Sequence, residues 1–481
     1  MTEVLVIGAG PAGLAAATAA RAGGAAVILL DAADALGGQY WRHLPAERPA
    51  ADERILHHGW STFTALRDGL ESDAGCEIIT GAQVWAVEAG ADAVPTVHAL
   101  IGPTDGGRRR GRSFTPDAVV FATGAHDRTL PFPGWDLPGV FTAGAAQAFA
   151  KGERIAVGQR VVVAGAGPFL LPVAASLAQT GATVLGVYEA SRATGMLRGW
   201  LPKPWQLLAS AKKGGELAGY VGSHVRNRIP YRLGRAVIAA HGSERVESVT
   251  VARLDADWAP IPGTEQRITA DAVCVSHGFT PRLELPIAAG CHLTGDGFVK
   301  VDAAQRSSVP GVYAAGEITG IGGADAALAE GGVAGHCAAG GDTRDPELAR
   351  TVRARDNAGG FAARIEAAHG IRPGWPAWLG DDTIVCRCEE VPYGRLRDIA
   401  HDTCSNGLRS LKLSTRAGLG ICQGRVCGRT VEQLLGTATG AAESVGSDRR
   451  PIAAPVRIGE LAATLSPQEP TEHVQGKDTN V

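Results

Sequence analysis

Four cysteines near the C-terminus carry the clearest chemistry in this chain. Cys386 and Cys388 form a C-x-C pair, and after a gap of 33 residues Cys422 and Cys427 form a C-x4-C pair. Four thiolates suit zinc or an iron–sulfur cluster. Structural zinc favours pairs separated by about two to four residues, whereas iron–sulfur clusters take thiolates from loops of varied spacing. The tight C-x-C pair therefore favours a cluster and one-electron chemistry. Cys76, Cys274, Cys291, Cys337 and Cys404 lie outside the pattern and read as buried thiols.

A second set of residues suits phosphate binding. Gly8, Gly10 and Gly13 form G-x-G-x-x-G around Pro11 and Ala12. The apolar run Val4–Ile7 before it reads as a buried strand, and Ala-rich Leu14–Ala22 after it as a helix. Val27–Leu30 reads as the next strand, tipped by Asp31. In such a unit Gly8 permits the tight turn, Gly10 lets the backbone approach a pyrophosphate, and Gly13 lets helix and strand pack closely. The helix N-terminus faces the phosphates, and Asp31 can accept hydrogen bonds from a ribose.

The same unit recurs. Val161–Pro168 contains Gly165 and Gly167, and Val184–Tyr188 is a strand tipped by Glu189. Gly165 stands 157 residues after Gly8, a spacing of domain duplication. Leu170 replaces the third glycine, which leaves two readings open: NAD(P)H binding and a relic fold element. Glu189 suits a free ribose 2′-hydroxyl better than a 2′-phosphate.

Other elements must position these motifs. Ala118–Phe121 is a buried strand leading to Thr123-Gly124, and Gly311–Ala315 leads to Gly316-Glu317. Glu77–Thr80, Val84–Glu88 and Thr96–Ile101 alternate as a small antiparallel layer, with a turn at 104–107. The triplet Arg108–Arg110 reads as a solvated hairpin tip. Trp200, Leu201, Trp205, Leu207 and Leu208 fall at helical spacing and read as core. Segment 341–380 reads as a connector, and the polar stretch near 466–481 as disordered. His43, near Gly38-Gln39, has a proton-handling reading and a packing one. His57, His58, His126 and His277 have no ligand spacing, no Ser-His-Asp set can be picked out, and no catalytic residue is assigned.

The bulk numbers agree with an ordinary globular chain of about two to four domains. There are 481 residues, 45% hydrophobic, with a formal charge of -3. This overall balance predicts neither nucleic acid nor an anionic membrane surface. No leader and no run of about 18 apolar residues is read. Nine cysteines without a secretory signal point to a reducing compartment.

Over residues 1 to roughly 340 the ordered motifs resemble the two-dinucleotide-domain flavoproteins of the pyridine nucleotide-disulfide reductase superfamily. The resemblance implies an α/β fold with two Rossmann-like domains and a small helical C-terminal domain. It implies FAD held by Gly8, Gly10, Pro11, Ala12, Gly13, Asp31, Gly38, Gln39, Val84, Thr123, Gly124, Gly316 and Glu317. No cysteine pair lies near Gly37–Leu44, so a dithiol reductase would lack its working parts. Ile384–Val391 and Gly418–Gly428 resemble the bacterioferritin-associated-ferredoxin-like [2Fe-2S] domain, which implies Cys386, Cys388, Cys422 and Cys427 as ligands. The expected division is 1–125 with 285–345 for FAD, 126–284 for the second nucleotide-binding-like domain, 346–380 as connector, 381–440 for the cluster and 441–481 as tail.

The whole arrangement is similar to the α subunits of bacterial amino-acid dehydrogenase complexes, such as hydrogen cyanide synthase, opine oxidases and D-hydroxyproline dehydrogenase. Gly38–Trp41, Leu130–Trp135 and Pro455–Arg457 support that likeness. It implies an electron-relay subunit beside a D-amino-acid-oxidase-like flavoprotein β subunit, an FMN at the subunit interface, and an acceptor such as quinone. The expected location is cytoplasmic, or peripheral at the inner membrane face through the complex. Two rivals are a stand-alone NAD(P)H-dependent FAD/[2Fe-2S] reductase and a non-catalytic, nucleotide-binding assembly subunit.

Overall fold

The structure is a computed structural model that describes the chain except residues 89, 91–93, 105, 108, 203–210, 406, 440–449, 451 and 466–481 and the side chains of 211–214, 437–439 and 464–465. Trp205, Leu207, Leu208, Arg108 and the polar end of the tail thus lie outside the described residues.

The first unit runs β1 (Glu3–Ile7), α1 (Pro11–Ala22), β2 (Ala26–Leu30), α2 (Trp60–Glu71) and β3 (Cys76–Ile79). An antiparallel layer follows: β4 (Ala82–Glu88), β5 (Thr96–Ile101) and β6 (Arg110–Phe114). The chain then returns to the sheet as β7 (Ala118–Phe121). Cys76–Ile79 does not join the antiparallel layer as the sequence predicts. It is the parallel edge of the main sheet, paired Val27 to Cys76 and Leu30 to Ile79. The third antiparallel strand is Arg110–Phe114, whose charged residues hide its period.

The second unit begins with the linker strand β8 (Ala125–Asp127), then β9 (Val140–Thr142), α3 (Ala143–Gly152), β10 (Arg160–Gly165), α4 (Leu170–Gln179) and β11 (Thr183–Glu189). Helices α5 (Ala193–Trp200) and α6 (Ala211–Arg226) precede β12 (Tyr231–Leu233). Strands β13 (Arg235–His241), β14 (Ser248–Arg253) and β15 (Gln266–Thr269) form a three-stranded layer. The unit closes with β16 (Ala272–Ser276) and β17 (Phe279–Pro281), the latter antiparallel to β8. The chain re-enters the first unit through α7 (Glu284–Ala288), β18 (Val312–Ala314) and α8 (Gly323–Ala338). Each unit thus owns a five-stranded parallel sheet, ordered β18-β7-β1-β2-β3 and β12-β11-β10-β16-β9.

Glycines set the closest helix approach. A Cβ on Gly331 or Gly335 of α8 would sit 2.1 or 2.0 Å from the carbonyl oxygens of Ala12 and Ala16 in α1. Only hydrogen at these positions lets the two helices touch along their backbones.

Helix α9 (Ala349–His369) leads to the cysteine segment: β19 (Ile384–Cys386), β20 (Val391–Pro392), α10 (Tyr393–Asp402), α11 (Leu408–Thr415) and α12 (Gly428–Thr439). This segment shares one hydrophobic core with the second unit, where Trp258, Trp375 and Trp378 meet Val385, Leu411 and Val431. Trp378 Nε1 donates to the Trp258 carbonyl at 2.8 Å. The residues read from sequence as a connector are therefore packed in place.

The last helix, α13 (Ile458–Leu465), folds back on the antiparallel layer. Arg109, which the sequence places in a solvated hairpin tip, is instead buried. Its guanidinium makes bonds of 3.0 and 2.8 Å to the two carboxylate oxygens of Glu460. A bidentate pair out of water leaves a stranded charge when one partner is removed. Glu460→Gln should lower the thermal midpoint, and Glu460→Ala more so. Unchanged midpoints by scanning calorimetry would mean that the strap does not hold the layer.

The expected core stripe at 196–230 is also different in its described part. Trp200 packs against Phe361, ring centroids 5.3 Å apart, but Leu201 faces solvent, as do Leu197, Leu217, Val221 and Val225 nearby.

Candidate functional site

A cavity of about 2100 Å³ opens between the two units. A single small-ligand site is about 300–1,000 Å³, so this one exceeds the need of one ligand. Gly8, Gly10, Pro11, Ala12, Asp31, Gly38, Gln39, Val84, Thr123, Gly124, Gly316 and Glu317 all line it. Gly13 does not. A Cβ there would lie 1.7 Å from the Gly8 carbonyl oxygen, so Gly13 serves the turn's packing.

The turn is held by Asp31. Its carboxylate accepts from Ala9 N–H at 2.6 Å and from Ala33 N–H at 2.7 Å. Burial raises its pKa against the pull of these donors. Opposite, Glu317 accepts from Gly323 N–H at 2.8 Å, and burial pushes it up to about 7. Glu330 of α8 fixes the Gly316 turn, accepting from Gly316 N–H at 2.8 Å and from the Thr319 hydroxyl at 2.6 Å.

The four predicted thiols converge. The Cys427 thiol interacts with those of both Cys386 and Cys422, and Cys422 also meets Cys388. Interaction with Cys427 is the main cause holding Cys386 down at about 6, and it lowers Cys422 as well. Cys386 and Cys427 are buried, Cys422 is half-buried and Cys388 is exposed. Cys404, expected as a buried thiol, is exposed where left-handed backbone (φ 48) follows α10.

The Cys422–Cys427 loop sits against the cavity. Arg425 lines it and pairs with Glu284 at 2.6 Å. His126 Nε2 donates to the Arg425 carbonyl at 2.8 Å.

The sequence model of the pyridine nucleotide-disulphide oxidoreductases matches residues 2–331. The chain belongs to this pyridine nucleotide-disulphide oxidoreductase family. It is 34% identical to an opine oxidase subunit of Rhizobium meliloti, over 99% of this chain and 90% of that protein. It is 31% identical to the HcnB subunit of hydrogen cyanide synthase from Pseudomonas protegens, over 91% and 92%. L-proline dehydrogenase from P. horikoshii shares its fold, with a TM-score of 0.67 at 20% identity over 96% of this chain and 79% of that one.

As a member of the pyridine nucleotide-disulphide oxidoreductase family the chain is an oxidoreductase with a flavin cofactor, and the first unit fits that group. A Cβ on Gly10 would meet nothing nearer than the Gly38 Cα at 4.0 Å. The space above Gly10 is therefore not needed by the protein's own packing and is left for a ligand.

The second unit meets the cavity differently from the first: Gly167, Pro168 and Phe169 line it, but the acid at the strand tip does not. Helix α1 begins directly after Gly10, whereas α4 begins at Leu170, three residues after Gly167. Pro168 and Phe169 fill the intervening positions, and Phe169 packs edge-on against Phe279 at 5.0 Å. Leu170 is fully buried in the core. Glu189 is wholly inaccessible and already accepts from Gly167 N–H at 2.9 Å, Ser191 N–H at 3.0 Å and the Tyr231 hydroxyl at 3.1 Å. His369, at the end of α9, lies 3.4 Å from its other side. Asp31 lines the cavity; His369 and Tyr231 line it where Glu189 does not.

Among the described residues no cysteine lines the cavity, so thiol–disulphide exchange has no sulfur there. His43 does not reach the cavity lining either. Its Nδ1 meets the Trp41 carbonyl at 2.7 Å and its ring packs on Trp60 and Phe63. Sequence reasoning missed Glu330, Arg425 and Lys151. Lys151 is buried, donates to the Tyr40 carbonyl at 2.8 Å, and is lowered to about 8 by burial. One local signal existed: Glu330 is a lone acid in the small-residue run Ala326–Ala339.

Proposed function

We propose that this chain is the electron-relay component of an amino-acid-oxidising complex. A D-amino-acid-oxidase-like flavoprotein β subunit would oxidise a C–N bond. This chain would relay the electrons to an acceptor such as quinone. FAD is held by the first unit through Gly8, Gly10, Pro11, Ala12, Asp31, Gly38, Gln39, Val84, Thr123, Gly124, Gly316 and Glu317, with Gly13 packing beneath. A [2Fe-2S] cluster is held by Cys386, Cys388, Cys422 and Cys427, and an FMN belongs at the subunit interface. The working location is cytoplasmic.

The observation that carries this reading is the contact between the thiol loop and the cavity wall through Arg425, Glu284 and His126. When bound, flavin supplies two-electron chemistry that can be divided into single steps, and a cluster accepts single electrons. The chain's own residues then fix distance and exclude water. Glu284 anchors the Arg425 side chain and His126 its carbonyl, so the loop is tied at Arg425, through side chain and backbone, to the cavity wall. The opine oxidase and hydrogen cyanide synthase relatives are named as subunits, which favours a role within a complex.

Two irons suit the thiols better than one zinc. Among the described residues, the His, Cys, Asp or Glu ligand atoms that gather in threes within 4.8 Å of one another are those of His336, Asp345 and Glu347. The quartet is thus more open than a tetrahedral site with Zn–S bonds of about 2.3 Å. Glu189, already satisfied by Gly167, Ser191 and Tyr231 and absent from the cavity wall, disfavours a stand-alone NAD(P)H reductase.

The test is an anaerobic visible spectrum of the purified chain. Flavin and iron–sulfur bands should stay unbleached on adding NADH or NADPH, and should bleach when the amine substrate is supplied together with the partner flavoprotein. Bleaching by pyridine nucleotide alone would overturn the relay reading. Absence of flavin bands would favour an assembly role instead.

A further inference from the structure

The overall charge of the chain hides a local excess of the opposite sign. Residues 192–228 contain seven Lys or Arg and one acid, Glu216, a local balance of +6 in a chain of -3. The same stretch bears exposed apolar side chains. On α6, Leu217, Val221 and Val225 recur every four residues and are 50%, 50% and 74% exposed. This spacing puts them on one face. On and just beyond α5, Leu197 and Leu201 are 54% and 62% exposed.

The face of α6 that adjoins this stripe is tied to the body. His224 is buried and its Nε2 meets the Leu171 carbonyl at 3.3 Å, while the Tyr220 ring packs on His58 at 5.0 Å. Leu217 reaches the cavity rim, and Val221 and Val225 beyond it face outward, with Arg226 and Arg228 exposed at the end of the helix. Arg192 and Arg198 are exposed on the α5 side.

We propose that α6, together with the end of α5, seats this chain on an anionic membrane surface. An interfacial helix sinks an apolar stripe into the headgroup boundary while flanking cations meet anionic lipid. A protein partner could cover Leu217, Val221 and Val225, but burying them calls for no set of exposed arginines such as Arg192, Arg198, Arg226 and Arg228. Anionic lipid uses both features at once. Among the described residues no helix is long and apolar enough to cross a membrane, so the contact is lateral. Seating stands apart from the relay reading. Joined with it, a lipid-soluble acceptor would arrive beside the cavity that Leu217 and Tyr220 line.

The experiment is cosedimentation of the full chain with phosphatidylcholine vesicles, with and without phosphatidylglycerol. Binding should be at least about tenfold tighter with phosphatidylglycerol. It should be lost near about 1 M salt, where charges are screened within about 3 Å. Arg226→Glu with Arg228→Glu, and separately Val221→Ser with Val225→Ser, should each weaken it by about tenfold or more. Their melting and cofactor spectra should match those of the unaltered chain. No binding, equal binding to both vesicles, or unaltered binding by both variants would overturn the proposal. So would a complex with the partner flavoprotein in which α6 is protected from hydrogen exchange without lipid, since the stripe would then be a protein interface.

Discussion

Gly10→Ala should release the flavin and leave the fold standing. The backbone at Gly10 is extended with φ -75, which alanine adopts freely. A new methyl group would meet no protein atom nearer than 4.0 Å. It would instead project into the space where the first unit faces its ligand, at the point where a pyrophosphate needs bare backbone. Overpacking of this kind costs about 1–3 kcal/mol, so flavin affinity should fall on the order of 10- to 100-fold. Gly13→Ala is the contrasting case. Its methyl would strike the Gly8 carbonyl oxygen at 1.7 Å, so both stability and flavin should be lost. Flavin absorbance after desalting, read beside the melting curve, separates the two. Full flavin retention by Gly10→Ala would remove the phosphate from this turn.

The second large effect is expected at Cys427. It is buried and its thiol interacts with those of both Cys386 and Cys422, so it joins the two pairs. Cys427→Ser should lower iron affinity on the order of tenfold at least, since even a group that only orients a metal ligand costs about 10- to 100-fold. Iron content and the electron paramagnetic resonance of the reduced chain should fall together, while flavin absorbance persists. The shared core of the cysteine segment and the second unit supports the fold without the metal. Cys404→Ser is the control, because that thiol is exposed and apart from the quartet. Full iron retention by Cys427→Ser, or zinc in place of iron in the unaltered chain, would dismiss the cluster.

Both predictions grow from features legible in short stretches of chain. Apolar runs such as Val4–Ile7 and Val161–Val163 read as buried parallel strands because both their faces are covered. Gly8 and Gly13 read correctly because a tight turn under a helix excludes side chains by local sterics. The C-x-C and C-x4-C pairs are legible because the metal site proposed for them would need fixed residue types.

What local pattern does not carry is which distant segment arrives to cover a residue. Arg109 looks solvated among its neighbours, and becomes buried only because Glu460 returns from 351 positions away. Glu189 stands at the same strand tip as Asp31, yet His369 and Tyr231 close over it. Cys76–Ile79 alternates like an antiparallel strand, but pairing with β2 makes it a sheet edge. Leu217, Val221 and Val225 have core spacing and no core to enter. The sequence by itself determined the two strand–turn–helix units, the turn glycines and the thiol pairs, since these depend on backbone sterics and residue chemistry within a few positions. The tertiary structure alone decided which strand-tip acid reaches the cavity, where the thiol loop meets the cavity wall and which apolar side chains are left facing out. Those outcomes depend on contacts between segments hundreds of residues apart, whose partners are chosen only when the chain packs.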